Sequence, residues 1–280
     1  MFEHFLITRF NLRNPRWTSS RSQHPALSEA WLRDRFNLFE QYCLPSVAAQ
    51  TEPGFTWLVY FDTQTPEQWR PRIEAYRGDC PQFQAVFVDG MAAFLADVQA
   101  RIGAAASPYL ISSRLDNDDC ISNDFIASVQ AQFVATDFLA LDFIDGYMLE
   151  IAPVRRLGRT VNAYNPFVSL IERNHEPLGI WHKDHAQWKR EPRLRRIRDQ
   201  RIWLTIIHRE NKTNEFRGFG AVSGDEVSAR FTLAPEAQEV WGQLLPVTRW
   251  RWLSLKNRLQ TGGTLLKRDL KKALGLYRQR

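Results

Sequence analysis

With 280 residues, 44% hydrophobic and 24% charged, the chain can bury roughly 75% of the surface it exposes when unfolded, so it needs no covalent staples to hold a core. Cys43, Cys80 and Cys120 are scattered, with no Cys-x-x-Cys pair; this argues against a disulfide framework or a zinc site and for a reducing compartment. The net charge of +6 belongs to the C-terminus: residues 249–280 hold ten Lys/Arg and one acid, so +6 less +9 leaves the other 248 residues at −3, without the basic footprint of a nucleic-acid binder.

The opening MFEHFLITRF has no basic stretch leading into an apolar one, and no run approaches the roughly 18 apolar residues of a membrane span. A cytoplasmic protein is expected, or one resting peripherally on the inner membrane face. Ten tryptophans are many for this length; they suit core packing or, at a site, stacking on sugars.

Phe5-Leu6-Ile7-Thr8 reads as a first strand running into Arg9, Phe10 and Asn11. Residues 31–47 place Trp31, Leu32, Phe36, Phe39, Tyr42 and Cys43 at helical spacing, with Leu44-Pro45 disturbing the end. A second strand, 55–61, stops at Asp62, and a helix is expected over 66–76. A third, 83–88, stops at Asp89-Gly90 and precedes a helix over 92–102. The fourth, 109–113, runs into Arg114 and the acidic run Asp116-Asn117-Asp118-Asp119. Beyond it come a short helix (124–133, capped by Ser122 or Asn123), a strand (138–144) followed by Asp145-Gly146, and strands over 165–172 and 202–207, the last ending at His208. Residues 183–201 are strongly polar and read as a surface helix or loop.

Near-continuous apolar strands alternating with helices define an α/β fold: a mainly parallel, Rossmann-like sheet with helices on both faces. Ligands of such sheets gather outside the carboxyl ends of the strands. Four successive strand ends here present Arg9 and Asn11, Asp62, Asp89, and Arg114 with Asp116.

Two carboxylates at i and i+2 behind a buried strand can face a hard divalent cation, leaving positions for water and diphosphate oxygens. Such a run is costly to bury unless a ligand or a solvent cleft receives it. An EF-hand loop starting at Asp116 fails, because its sixth and twelfth residues are Ile121 and Ala127 where Gly and Glu are required. A structural turn is the plain alternative. His182 and His185 lack a nearby third zinc ligand.

Asp116-Asn117-Asp118 after a fourth strand resembles the DxD motif of the A-type glycosyltransferases. More narrowly, ITRFN near the start, SRLDNDD, and WLTIIHRENKTN around position 208 are similar to the bacterial rhamnosyltransferase family, over residues 1 to about 220. The resemblance implies an A-type glycosyltransferase fold over 1–220, with a nucleotide-binding half to about 125 and an acceptor-side half over 126–220, followed by a helical region, 221–280. It implies a metal-dependent enzyme moving a sugar, rhamnose by the family's label, from a nucleoside-diphosphate donor to a saccharide or lipid-linked saccharide. It implies Mg²⁺ or Mn²⁺ on Asp118, with Asp116 towards metal or ribose, His208 completing the site and Asp119 supporting. Arg9, Asn11, Asp62 and Asp89 would line the donor pocket, and Arg114 would pair with a carboxylate or phosphate.

A general base is sought among Asp142, Asp145, Glu172 and Asp184, with Asp145 favoured for its place between strand and glycine, and Asp184 next. A metal-dependent phosphohydrolase and a non-catalytic carbohydrate- or membrane-binding protein are the competing readings.

In the tail, Leu265, Leu266, Leu270, Ala273, Leu274 and Tyr277 recur at three- and four-residue spacing, with Lys267, Arg268, Lys271, Lys272 and Arg278 between them and Arg249-Trp250-Arg251-Trp252 upstream. The pattern suits an anionic membrane surface or, equally, a helix docking its leucines on the domain.

Overall fold

The computed structural model describes residues 1–14, 28–211 and 215–277. Lys212, Thr213 and Asn214 of the third motif block, and Arg278 of the tail, lie outside the described residues.

The four expected strands form β1 (Phe2–Arg9), β2 (Thr56–Asp62), β3 (Phe83–Val88) and β4 (Tyr109–Arg114). They pair in parallel in the order β3-β2-β1-β4, so their carboxyl ends emerge along one edge. The chain continues through β5 (Cys120–Ile121), β6 (Phe138–Phe143), β7 (Asp145–Glu150), β8 (Arg156–Val161), β9 (Ser169–Arg173), β10 (Leu194–Ile197) and β11 (Trp203–Ile207). The antiparallel β9 enters between β4 and β6, and β10 closes the seven-stranded sheet beyond β6. The expected strand over 165–172 begins only at Ser169, because Pro166 cannot donate to a ladder and Asn165 bonds locally. Residues 183–201 contribute a 3₁₀ turn, His185–Arg190, and the edge strand β10.

Side-chain alternation along the strands decides which helices cover which face. Leu6, Trp57, Val59 and Ile111 meet α1 (Glu29–Leu38), α2 (Leu44–Ala48) and, further on, α3 (Arg70–Asp79). Ile7, Leu58, Tyr60 and Leu110 meet α4 (Gly90–Gly103) on the other side, while α5 (Phe125–Gln130) joins the first face. Helices therefore cover both faces, as the continuous apolar strands require. Between α1 and α2 the chain does not stop at Pro45. A π-helical turn, Phe39–Cys43, in which the Leu44 N–H reaches back to the Phe39 carbonyl, widens the helix ahead of the proline ring.

Of the second sheet, β5-β11-β7-β8, the sequence showed only β11, as the strand expected over 202–207. The sheet's apolar side is covered by the chain after Phe219: α6 (Gly224–Ser228), α7 (Pro235–Gln238), and Phe231 and Leu233 between them, packed on Tyr147, Leu149 and Leu204. The final helix, α8 (Arg251–Ala273), lies beyond these. All three cysteines are free and buried. Among the described residues no helix is long and apolar enough to cross a membrane.

Trp203 joins the two sheets. Its ring stacks on Phe167 at 5.0 Å, and its Nε1–H donates to the Phe143 carbonyl at 2.6 Å. A Cβ at Gly146 would stand 2.3 Å from that ring, which is fixed on both sides. Gly146→Ala is expected to lower unfolding stability by about 1–3 kcal/mol, as overpacking does. Urea denaturation of the two proteins checks this, and equal midpoints would mean the indole is free to retreat.

Candidate active site

At the carboxyl edge each acidic residue meets its own partner. Asp116 is half-buried, and both its oxygens lie 3.1 Å from the Arg114 guanidinium. Asn117 is buried and donates to the Phe10 carbonyl at 2.7 Å, tying the acidic turn to the end of β1. Asp118 accepts from Arg35 of α1 at 2.8 Å, and its Oδ2 lies 3.0 Å from Nε2 of His208. Asp119 accepts the Ile206 N–H at 3.0 Å, which fastens the turn to β11 and so brings His208 beside Asp118.

The electrostatics follow this partition. Burial opposes ionisation of Asp118, but the charge of Arg35 and the hydrogen bond and charge of His208 outweigh it and hold the carboxyl at about 2. Asp119 goes the other way: burial first, then the charges of Asp118 and Asp116, push it well above the usual carboxylate range. One buried carboxylate is thus kept ionised while its neighbour favours the proton.

Beside the acids lies a cationic wall. The Arg9 and Arg114 guanidiniums sit 4.0 and 3.9 Å from the centre of the Trp181 ring, whose Nε1–H donates to the Ile7 carbonyl at 3.2 Å. Desolvation, and then the like charge of Arg114, lower Arg9 to about 10, with Asp116 and Asp184 working against this. Asp184 is exposed and caps the turn His185–Arg190, with the reciprocal Gln187 bond to its own N–H. Trp181 follows Gly179, whose φ of 70° turns the chain back over the strand ends.

Other sequence candidates lie elsewhere. Asp62 is fully buried and accepts from the Arg13 N–H and Nε and from the Gln64 N–H, at 2.8–2.9 Å. Asn11 accepts the Asp62 N–H and donates to Thr65. These two lock the loops after β1 and β2 together, and their polar atoms are engaged there instead of lining a pocket. Asp89 is exposed and pairs with the other arm of Arg13. Asp145 is corrected by register. Tyr147 on β7 stands beside Leu204 on β11, so Asp145 stands six residues before His208, or about 20 Å at strand rise. Its oxygens are held by Arg198 and the Asp199 N–H. Sequence reasoning missed Arg13, Arg35 and Trp181. None of them left a trace: Arg35 shares α1 with Glu29, Arg33, Asp34 and Asn37, and its guanidinium lies 5.3 Å from the Trp31 ring.

Could this site hold a cation? Among the described residues no three His, Cys, Asp or Glu side chains gather closely enough to hold one alone. Asp118 and His208, 3.0 Å apart, have the separation of adjacent ligands on an octahedral ion with bonds of about 2.1 Å. Asp116 is turned to Arg114. The residues fit a cation that takes two protein ligands and completes its shell with water and substrate phosphate, the usual habit of Mg²⁺.

Residues 4–219 match the family described as "Putative rhamnosyl transferase", and the chain belongs to it. No curated protein matches. Among solved structures the chain is similar to the crystal structure of S. aureus TarS 1-349, at 13% identity and a TM-score of 0.42, covering 73% of this chain and 60% of that one. For TarS 1-349 in complex with UDP-GlcNAc the values are 14%, 0.41, 81% and 64%. For HddC from Yersinia pseudotuberculosis they are 7%, 0.32, 71% and 90%. The chain spans less than two thirds of the length of TarS 1-349.

Because the Asp118 carboxyl is depressed from 3.8 to about 2, its contribution to stability is fully present above pH 3.8 and is lost as pH falls through 2. Asp118→Asn should therefore be less stable than the parent by about 2 kcal/mol at neutral pH. The gap should close between pH 4 and 2 when unfolding is followed in EDTA. A gap of unchanged size at the acid end would show that the charge of Asp118 is not what stabilises it.

Proposed function

We propose that the chain transfers a sugar from a nucleoside-diphosphate donor to a saccharide hydroxyl with the help of Mg²⁺ or Mn²⁺. The observation that carries this reading is the Asp118–His208 pair set beside the Arg9–Trp181–Arg114 wall at the carboxyl edge of the parallel strands. Asp118 and His208 would hold the cation, which supplies positive charge to the diphosphate as the glycosidic bond breaks. Arg9 and Arg114 would bind the phosphates, since guanidiniums suit phosphate oxygens and their stacking on Trp181 fixes their planes. Asp116 keeps Arg114 oriented when donor is absent. Rhamnose, named by the family description, is the sugar to test first.

Asp184 is the carboxylate we assign to the acceptor's proton. It is open to solvent, close enough to Arg9 to support that residue's charge, and carried on a separate segment from the cation ligands. A positioned base contributes roughly 10²–10⁴-fold, so Asp184→Asn should lower kcat by about that factor with donor affinity retained. Unchanged turnover would remove Asp184 from the mechanism.

The reading as a whole is tested by thermal shift with UDP, GDP, dTDP and CMP, each with and without Mn²⁺. One nucleoside diphosphate should raise Tm only with the metal, and Asp118→Ala should abolish that gain. If no nucleotide shifts Tm under either condition, donor binding at this edge is wrong.

A further inference from the structure

The tail pattern left two readings open, and the placement of α8 separates them. One side of the helix is fixed to the protein by polar hooks. Asn257 is buried and donates to the Phe216 and Gly218 carbonyls at 3.3 and 3.0 Å, Ser254 accepts the Gly220 N–H at 2.9 Å, and Arg268 donates to the Ala163 carbonyl at 2.6 Å. Asp269 pairs with Arg196 at 2.6 Å. Leu253 and Leu265 turn inward with this side.

The remaining large apolar residues do not dock. Trp252, Leu255, Leu259, Leu266, Leu270 and Leu274 are all exposed, Trp252 at 72% and Leu266 at 63%. Their spacing of three, four, seven, four and four keeps them on one stripe, opposite Asn257 and Arg268 at 100° per residue. Exposed Gly262 and Gly263 fill the turn without a leucine. Lys256, Lys267 and Lys271 border one side of the stripe, and Arg251 and Arg258 the other. A continuous apolar stripe flanked on both sides by cations is the arrangement of a helix lying in a membrane interface.

We propose that α8 docks this protein on an anionic lipid surface, with the leucine stripe in the acyl boundary and the flanking Lys and Arg among the headgroups. The charge borders choose lipid as the occupant. A second copy would have to bring the same cations against these, at a cost in repulsion. The hooks hold the stripe outward whether or not lipid is present, so docking requires no refolding of the helix. It is also independent of the donor chemistry.

The test is flotation of the full-length protein with phosphatidylcholine vesicles, and with vesicles containing roughly a third phosphatidylglycerol. The protein should float with the anionic vesicles and not with the neutral ones. Leu259→Gln/Leu266→Gln and Lys256→Gln/Lys267→Gln/Lys271→Gln should each weaken that binding at least about tenfold. Both variants should keep the parent's Tm, which separates loss of docking from loss of fold. Absence of flotation, equal binding to neutral vesicles, or binding indifferent to both variants would each overturn the proposal. So would a dimer, seen by light scattering, that the leucine variant dissolves while the parent ignores vesicles.

Discussion

Everything at the carboxyl edge depends on giving each buried carboxylate of the acidic turn a separate partner. Three acids within four residues repel one another, and desolvation makes each more costly to ionise. The fold answers by sending them in different directions. Asp116 goes to Arg114 at the end of β4, Asp118 to Arg35 from α1 and to His208 just after β11, and Asp119 to a backbone N–H of β11. With Asn117 bonded to the Phe10 carbonyl the turn is tied to the end of β1, to α1 and to β11, and Asp118 is driven towards the charged form while Asp119 favours the proton.

That partition explains the second sheet. β11 is buried along its whole length and delivers His208 by virtue of the Asp119–Ile206 bond. β7 fixes β11 in parallel register, and the chain after Phe219 covers the sheet's apolar side. Residues with no part in binding a donor therefore help decide where His208 stands.

How much of this was legible follows from where the physical signal is local. The four parallel strands announced themselves because strands covered on both faces are continuously apolar, and Arg9, Arg114 and the acids after β4 stand along the edge where those strands end. The strands β7, β8 and β10 were not legible, because they interleave Arg, Glu and Asp with apolar residues and owe their state to pairing. Asp62 read as a donor contact and Asp145 as a general base for the same reason Asp118 read as a metal ligand, as acids at strand ends or starts. What separates them is place: Arg13 locks Asp62 between the loops after β1 and β2, and Arg198 holds Asp145 about 20 Å along the strands from His208, and no rule of spacing supplies those partners. Trp181 and Arg35 come from segments distant in sequence, so they could be found only once the chain was folded.

The Arg9–Trp181–Arg114 group follows from the same constraint seen from the cationic side. Two guanidiniums against one indole repel each other, and this, after desolvation, is what lowers Arg9. Asp116 and Asp184 work against that repulsion. The arrangement is also held by packing: Trp181 is buried, anchored to the Ile7 carbonyl and edge-on to Phe94. Two guanidiniums held against one buried indole have fixed planes, and under the proposed function that preorganises them for an anion with more than one charge. If the donor proposed above binds there, its diphosphate would relieve the repulsion between Arg9 and Arg114 that the fold maintains, so its binding free energy would come from the fold as much as from the new contacts.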